Sequence, residues 1–267
     1  MFDTPRHQLG LGTYSLTGEA GTEVVEAALE TGYRHLDTAR MYENEAEVGD
    51  AIERSGVDRA ELLVATKVGH WVEPEKTPSY VRRAVDESRD RLGVDTIDLL
   101  YHHWPRRFEE IETVLPVFAE LASEGVVEHV GVSNYTIEDV RRARELVDVP
   151  ISANQVEMHP FLPQEEMREH LQGTGITLVA YSPLAQGKVF DSDEIEAVAE
   201  KHDVSPATVS LAWIRAKGAV PIPRSSSEEH VRSNLAALDL DLDAADVERI
   251  DSIGTRHRCE DPEWMEW

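Results

Sequence analysis

Four side chains of different chemistry stand just beyond short β-branched runs in this sequence. Asp37 closes the run 33–37 and Tyr42 follows five residues later. Lys67 closes the run 62–67, and His102-His103-Trp104-Pro105 follows the run 97–101. Taken singly, each has an ordinary reading as a turn former, a snorkelling lysine or a packed ring. At the mouths of neighbouring strands they become one chemical unit. An Asp and a Lys held there are poorly solvated, and each needs the other. An ammonium beside a phenol stabilises the phenolate, so the Tyr42 hydroxyl is expected to titrate below its usual ~10 and to give up a proton near neutral pH. Adjacent strand residues face opposite ways, so only one of His102 and His103 can point at that phenol, and the other belongs to the wall. Tyr, Lys and His around a carbonyl oxygen polarise it and protonate the alkoxide as it develops. No Ser–His or Cys–His nucleophile pair accompanies them. The nucleophile this set requires is a hydride from a bound cofactor.

Other strand ends supply groups suited to that cofactor. Tyr181 is placed to stack on a nicotinamide ring, and Ser133, Asn134 and Gln155 offer amides and a hydroxyl for its carboxamide. Arg224 followed by Ser225, Ser226 and Ser227, just before a helix, makes an anion site from backbone N–H groups, helix dipole and guanidinium. A plain capping box, Ser226-x-x-Glu229, is the structural alternative, and both can hold. Tyr14, Trp71, Trp104, Trp264 and Trp267 predict an aromatic wall for a small, partly apolar substrate.

The elements that must position these groups alternate. Strand-like runs fall at 8–12, 33–37, 62–67, 97–101, 127–132, 151–157, 177–181 and 219–221. Helical periodicity occupies 21–31, 44–55, 77–92, 111–123, 136–146, 163–172, 193–217, 227–237 and 243–252, with Ser205-Pro206 starting a new helix inside the seventh stretch. Strand–helix alternation at this spacing means parallel strands with right-handed crossovers, and eight of them in one chain predict a (β/α)8 TIM barrel with its site at the carboxyl ends of the strands. An open dinucleotide-binding sheet would show G-x-G-x-x-G after its first strand, and Gly10-Leu11-Gly12-Thr13-Tyr14 does not. The chain therefore reads as a single domain over 1–267, with a short tail, 253–267, over the active-site face.

Composition narrows the class. With 26 basic and 52 acidic residues the 267-residue chain carries a formal charge of −26. That surface repels nucleic acid and anionic membranes. One Cys among 267 residues excludes a disulfide framework and a multi-Cys metal site. No apolar stretch is long enough to span a bilayer and no leader is visible, so a cytoplasmic, monomeric protein without membrane or nucleic-acid partners is expected. Lys occurs only five times while Asp and Glu are spread evenly, the pattern a salt-saturated cytoplasm tolerates, and halophilic adaptation is expected.

At these same residues the sequence resembles the aldo-keto reductase family. The matching segments are Leu9-Gly10-Leu11-Gly12-Thr13, Gly32-Tyr33-Arg34-His35-Leu36-Asp37-Thr38-Ala39 with Tyr42-x-Asn44-Glu45, Thr66-Lys67 and His103-Trp104-Pro105. Further on come Gly131-Val132-Ser133-Asn134, Asn154-Gln155, Tyr181-Ser182-Pro183-Leu184 and Ile222-Pro223-Arg224-Ser225. The resemblance implies NAD(P)H-dependent carbonyl reduction without a metal. It casts Tyr42 as proton donor, Lys67 and Asp37 as the pair tuning it, and His103, rather than His102, as the residue orienting substrate beside Tyr14, Trp71 and Trp104. It implies that Thr13, Ser133, Asn134, Gln155, Tyr181, Ser182, Leu184, Arg224, Ser225, Ser227, His230 and Asn234 hold the cofactor. The tail looks like that of microbial reductases acting on diketogluconate, methylglyoxal and similar small carbonyls.

Three departures stand out. Only seven residues precede the first strand, so the hairpin that often plugs the barrel bottom is trimmed. Tyr14 stands where a Trp is common. The 2′-phosphate clamp keeps Arg224 but has His230 where an Arg is usual, which implies NADPH preferred with NADH usable. Two other classes compete: a metal-dependent barrel hydrolase using Asp37, His102, His103 and Glu157, and a non-catalytic nucleotide-binding regulatory barrel. The first lacks the His-x-His such hydrolases carry after strand one, and the intact Tyr42, Lys67, His103 set weighs against the second.

Overall fold

The computed structural model describes residues 1–2, 4–73, 76–106, 108–265 and 267, with Phe108 described by its backbone alone. Eight parallel strands follow one another in sequence order: β1 Leu11–Gly12, β2 His35–Asp37, β3 Leu63–Val68, β4 Ile97–His102, β5 Val127–Ser133, β6 Ile151–Glu157, β7 Thr177–Tyr181 and β8 Val220–Pro221. Gly10 N–H to Pro221 O and Gly12 N–H to Pro223 O, both 3.0 Å, close the seam between β8 and β1. The fold is a (β/α)8 barrel.

Strand alternation decides which residues reach the mouth. Along β3, Leu63 and Ala65 point inward, while Val64 and Val68 pack outward against the helices. Lys67 belongs to the inward row, two residues beyond Ala65. On β4, Leu99 and Tyr101 fill the interior, so His103 continues inward and His102 faces out, where its Nδ1 meets Tyr135 Oη at 2.7 Å. The same period places Ala153 and Gln155 of β6, and Val179 and Tyr181 of β7, on inner rows. Gly131 of β5 has no side chain because an added Cβ would lie 2.6 Å from the Tyr101 ring.

Residues at the start of the chain pack against the barrel bottom. Met1 and Phe2 pack on the inner cluster, and the Phe2 ring lies 5.5 Å from that of His35. His35 is fully buried and held neutral by desolvation, its pKa pushed down to about 3.

The surrounding helices include α1 Gly18–Thr31, α2 Glu45–Ser55, α3 Pro78–Leu92, α4 Phe108–Ser123, α5 Ile137–Leu146 and α6 Glu165–Leu171. Helix α3 shows why they form. The Thr77 hydroxyl accepts from Tyr80 N–H, Pro78 opens the first turn, and Val81, Ala84, Val85, Ser88 and Leu92 fall on one buried face before Gly93 ends the helix at φ 64°. Each buried Val or Leu of that stripe contributes roughly 1.5–3 kcal/mol. The long stretch 193–217 divides into α7 Asp193–His202 and α8 Pro206–Ala216, because Asp203 adopts φ 53° and the Ser205 side chain caps the new helix. Helices α9 Glu228–Leu235 and α10 Ala244–Asp251 complete the ring. Among the described residues no helix is long and apolar enough to cross a membrane.

Candidate active site

Lys67 is buried at the strand mouths and donates to Asp37 Oδ1 and, at 2.7 Å, to Thr38 O. The second carboxylate oxygen of Asp37 accepts from Gln155 Nε2 at 2.7 Å. Tyr42 ends a short 3₁₀ turn, Arg40–Tyr42, just past β2. This turn swings its ring over Lys67, whose ammonium lies 5.2 Å from the ring centroid. The His103 ring is 5.9 Å from that of Tyr42, at 78°. The chain thus brings Asp37, Lys67, Tyr42 and His103 to one point from three successive strand ends.

The charge states follow from burial and contact. Desolvation pulls the Lys67 ammonium down, but the Asp37 charge and Tyr42 outweigh it and hold its pKa above the usual lysine value. Burial raises the Asp37 carboxyl, opposed by Lys67 and Gln155. The pair is ionised, since a neutral acid there would strand a buried ammonium. For Tyr42 the expectation of a lowered pKa is corrected. Burial raises it above the usual phenol value, Lys67 acts downward, and burial wins. The hydroxyl is therefore protonated at neutral pH, and the Lys67 ammonium beside it favours the phenolate over an unpaired buried charge. Burial, with Lys67, His70 and His102 nearby, drives the His103 pKa well below normal, leaving a neutral imidazole. Its Nδ1 is buried without a partner. A bare lone pair there costs less than an orphaned N–H, which puts the proton on Nε2.

Above these groups opens a cavity of about 710 Å³, walled by Tyr14, Met41, Tyr42, His70, Trp71, His103 and Trp104 on one side and by Ser133, Asn134, Gln155, Tyr181 and 182–184 on the other. Of the expected aromatic wall, Tyr14, Trp71 and Trp104 line the cavity, whereas Trp264 and Trp267 lie behind it, against Trp71 and Trp104. Trp71 lies 5.0 Å from Trp104 and 5.4 Å from Trp264, and Trp104 lies 6.1 Å from Trp267. Tyr14 stands edge-on to Tyr42 at 5.1 Å.

The residues expected at the cofactor end divide. Thr13, Ser133, Asn134, Gln155, Tyr181, Ser182, Leu184 and Arg224 line the cavity, whereas Ser225, Ser227, His230 and Asn234 lie outside its wall, on the loop after β8 and on α9. Several are already committed. Asn134 donates to His103 O and accepts from Tyr181 Oη at 2.9 Å. Ser133 Oγ donates to Gln155 O, and Thr13 Oγ1 to Asp37 O. The capping box at Ser226 does not form: Ser227 is the N-cap of α9 and its side chain makes no cap bond. Ser227 N–H is taken by Ser225 Oγ, but the N–H groups of residues 228–230 have no partner among the described residues, and Arg224 on the same loop donates from Nε to Tyr14 O at 3.0 Å. Unsatisfied N–H groups, a helix dipole and a guanidinium are a donor set that fits a phosphate.

The hydrolase set does not converge. His102 faces outward, Asp37 is paired with Lys67, and Glu157 accepts Cys259 N–H at 2.6 Å and Glu260 N–H at 2.8 Å, anchoring the tail. Burial works to raise the Glu157 pKa, but His159 and the two amides outweigh it and hold the pKa below normal. Among the described residues the metal-type cluster is a different one, Glu157, His159 and Cys259, with ligand atoms within 4.8 Å of one another. Sequence reasoning missed His70, Met41, Gln186 and Glu260, all on the cavity wall. For His70 the signal was its place between Lys67 and Trp71.

Residues 8–255 match the sequence profile described as the Aldo/keto reductase family. The chain belongs to the aldo/keto reductase family. Among curated relatives of this reductase, the methylglyoxal reductase DkgB of Escherichia coli O157:H7 is 37% identical over 263 residues, covering 97% of both chains. Among solved structures, an aldo-keto reductase from a Medee basin deep-sea metagenome library superposes with TM-score 0.91 at 32% identity, covering 95% of this chain and 93% of that one. An aldo-keto reductase of Bombyx mori in complex with NADP superposes with TM-score 0.86 at 29% identity, covering 95% and 91%.

Proposed function

We propose that this family member uses NADPH, and less well NADH, to reduce aldehyde or ketone groups of small carbonyl compounds to alcohols, with Tyr42 as the proton donor. The observation that carries the reading is the contact series Asp37–Lys67–Tyr42 beneath an aromatic cavity, with a neutral His103 beside it. The cofactor, when bound, supplies the hydride. Arg224, Ser225, Ser227 and the free start of α9 would hold its phosphates, and Tyr181 would support its nicotinamide. His103 Nε2–H orients the substrate carbonyl oxygen, and Tyr42 O–H delivers its proton to that oxygen as the new C–H bond forms. The phenolate left behind lies against the Lys67 ammonium, which Asp37 and Thr38 O hold in place. The trimmed clamp at His230 supports retained use of NADH. The acidic, Lys-poor composition and single free Cys259 support a monomer in a salt-rich, reducing cytoplasm.

The test follows NADPH and NADH oxidation with a panel of small aldehydes and ketones at low and high salt. Wild-type protein turns over carbonyls with higher kcat/KM for NADPH. Tyr42→Phe keeps cofactor binding and loses about 10²–10⁴-fold in turnover. Unchanged turnover in Tyr42→Phe overturns the assignment.

A further inference from the structure

One imidazole on the cavity wall has no part in the chemistry above. His70 sits two residues beyond β3 and is 2% exposed, yet it lines the cavity. Its position is closely determined. The Glu73 carboxylate accepts both Gly69 N–H and His70 N–H at 3.1 Å, and Tyr80 Oη braces that carboxylate at 2.9 Å. The His70 ring lies against Trp71, centroids 3.8 Å apart, and meets His103 at 4.8 Å and 61°. Val72 N–H donates to His70 Nδ1 at 3.3 Å, so the ring proton belongs to Nε2. Burial and nearby Lys76 push the His70 pKa down to about 4, so the ring is neutral at physiological pH. Nε2 is not among the buried unpartnered nitrogens and makes no hydrogen bond among the described residues. It is a free N–H donor on the cavity wall, adjacent to the His103 donor.

Two neutral imidazole donors on rings this close match two oxygens on neighbouring carbons, which lie roughly a hydrogen-bond length apart. We propose that His70 Nε2–H binds an oxygen on the carbon next to the reacting carbonyl, so that the site selects substrates bearing a vicinal oxygen, such as 2-oxoaldehydes. This rests on the carbonyl-reductase reading. His70 is a specificity residue: the reacting oxygen belongs to His103 and Tyr42, the second to His70. Such a ligand is fixed at both ends, and a simple aldehyde at one.

The experiment compares methylglyoxal with propanal, the same skeleton without the second oxygen, in the wild type and in His70→Phe, His70→Leu and His70→Gln. NADPH affinity measured by fluorescence reports folding of each variant. In His70→Phe the ratio of kcat/KM for methylglyoxal to that for propanal falls about tenfold, the effect of one lost hydrogen bond, mostly through KM. His70→Leu, which removes the donor with less bulk, gives the same fall and decides the matter where the Phe variant does not bind NADPH. His70→Gln keeps an N–H donor and recovers most of the ratio, which a merely structural role would not produce. A ratio unchanged in the folded Phe or Leu variant, or one not recovered by Gln, overturns the inference. Absence of wild-type turnover with both compounds overturns the reductase reading and this inference with it.

Discussion

Replacing Asp37 by Asn removes the negative partner of Lys67 while keeping its shape and the oxygen that Gln155 donates to. Both charged side chains are essentially out of water, at 0% and 2% exposure. Breaking a buried ion pair from one side costs about 3–5 kcal/mol, because the other charge is left uncompensated. For a chain of 267 residues, with an unfolding entropy of roughly 2.1 cal/mol/K per residue, this lowers Tm by about 5–9 °C. The loss has a pH signature. In the wild type the Lys67 pKa is raised in the folded state, so its contribution is fully present below the unfolded lysine pKa and fades as pH rises through the folded value. In Asp37→Asn, desolvation acts unopposed by that charge, the folded pKa drops below the unfolded one, and the unfolded chain binds more protons. The variant's stability therefore rises with pH, and the Tm gap to wild type narrows from pH 6 toward pH 10. Calorimetry across that range, with carbonyl turnover measured alongside, is the assay. A Tm within about 1 °C of wild type at pH 6, or a gap that widens with pH, refutes the paired-charge account.

Because burial holds the Tyr42 hydroxyl protonated and the His103 ring neutral, kcat/KM for carbonyl reduction stays level from pH 6 to 9. It falls only on the alkaline side as the phenol ionises, and an acid limb near the normal histidine pKa would contradict this. Gly69→Ala places a Cβ 2.5 Å from the His102 ring at φ 90°. It lowers stability by about 2–4 kcal/mol in urea unfolding with the m-value unchanged. His230→Arg restores a cation facing the phosphate end and raises the NADPH-to-NADH ratio of kcat/KM by about tenfold at low salt, with a smaller gain at high salt.

The barrel and the four groups at its mouth were legible because alternation with period two is a local property. Asp37 and Lys67 announce themselves as polar residues closing apolar runs; spacing alone left His102 and His103 open, the family resemblance favoured His103, and the inward row of Leu99 and Tyr101 agrees. Features that depend on distant partners were not legible. Strands at 8–12 and 219–221 were legible, but not that pairing would shorten them to Leu11–Gly12 and Val220–Pro221, with a seam held by a few backbone bonds. The Glu157 anchor needs amides about a hundred positions away in sequence. The direction of the Tyr42 shift turned on the depth of burial, which no spacing reports. The Ser226 cap failed because the helix starts one residue later, with Ser227 at its N-cap, which a motif cannot show.

Asp37, Lys67 and Gln155 are carried by strands β2, β3 and β6, whereas the aromatic screen above them comes from the loop after β3, His103-Trp104 and the tail. The buried charge pair and the aromatic wall therefore rest on different parts of the chain. Changes in the loop after β3 and in the tail can reshape the aromatic wall without touching the strands that hold the buried charge pair.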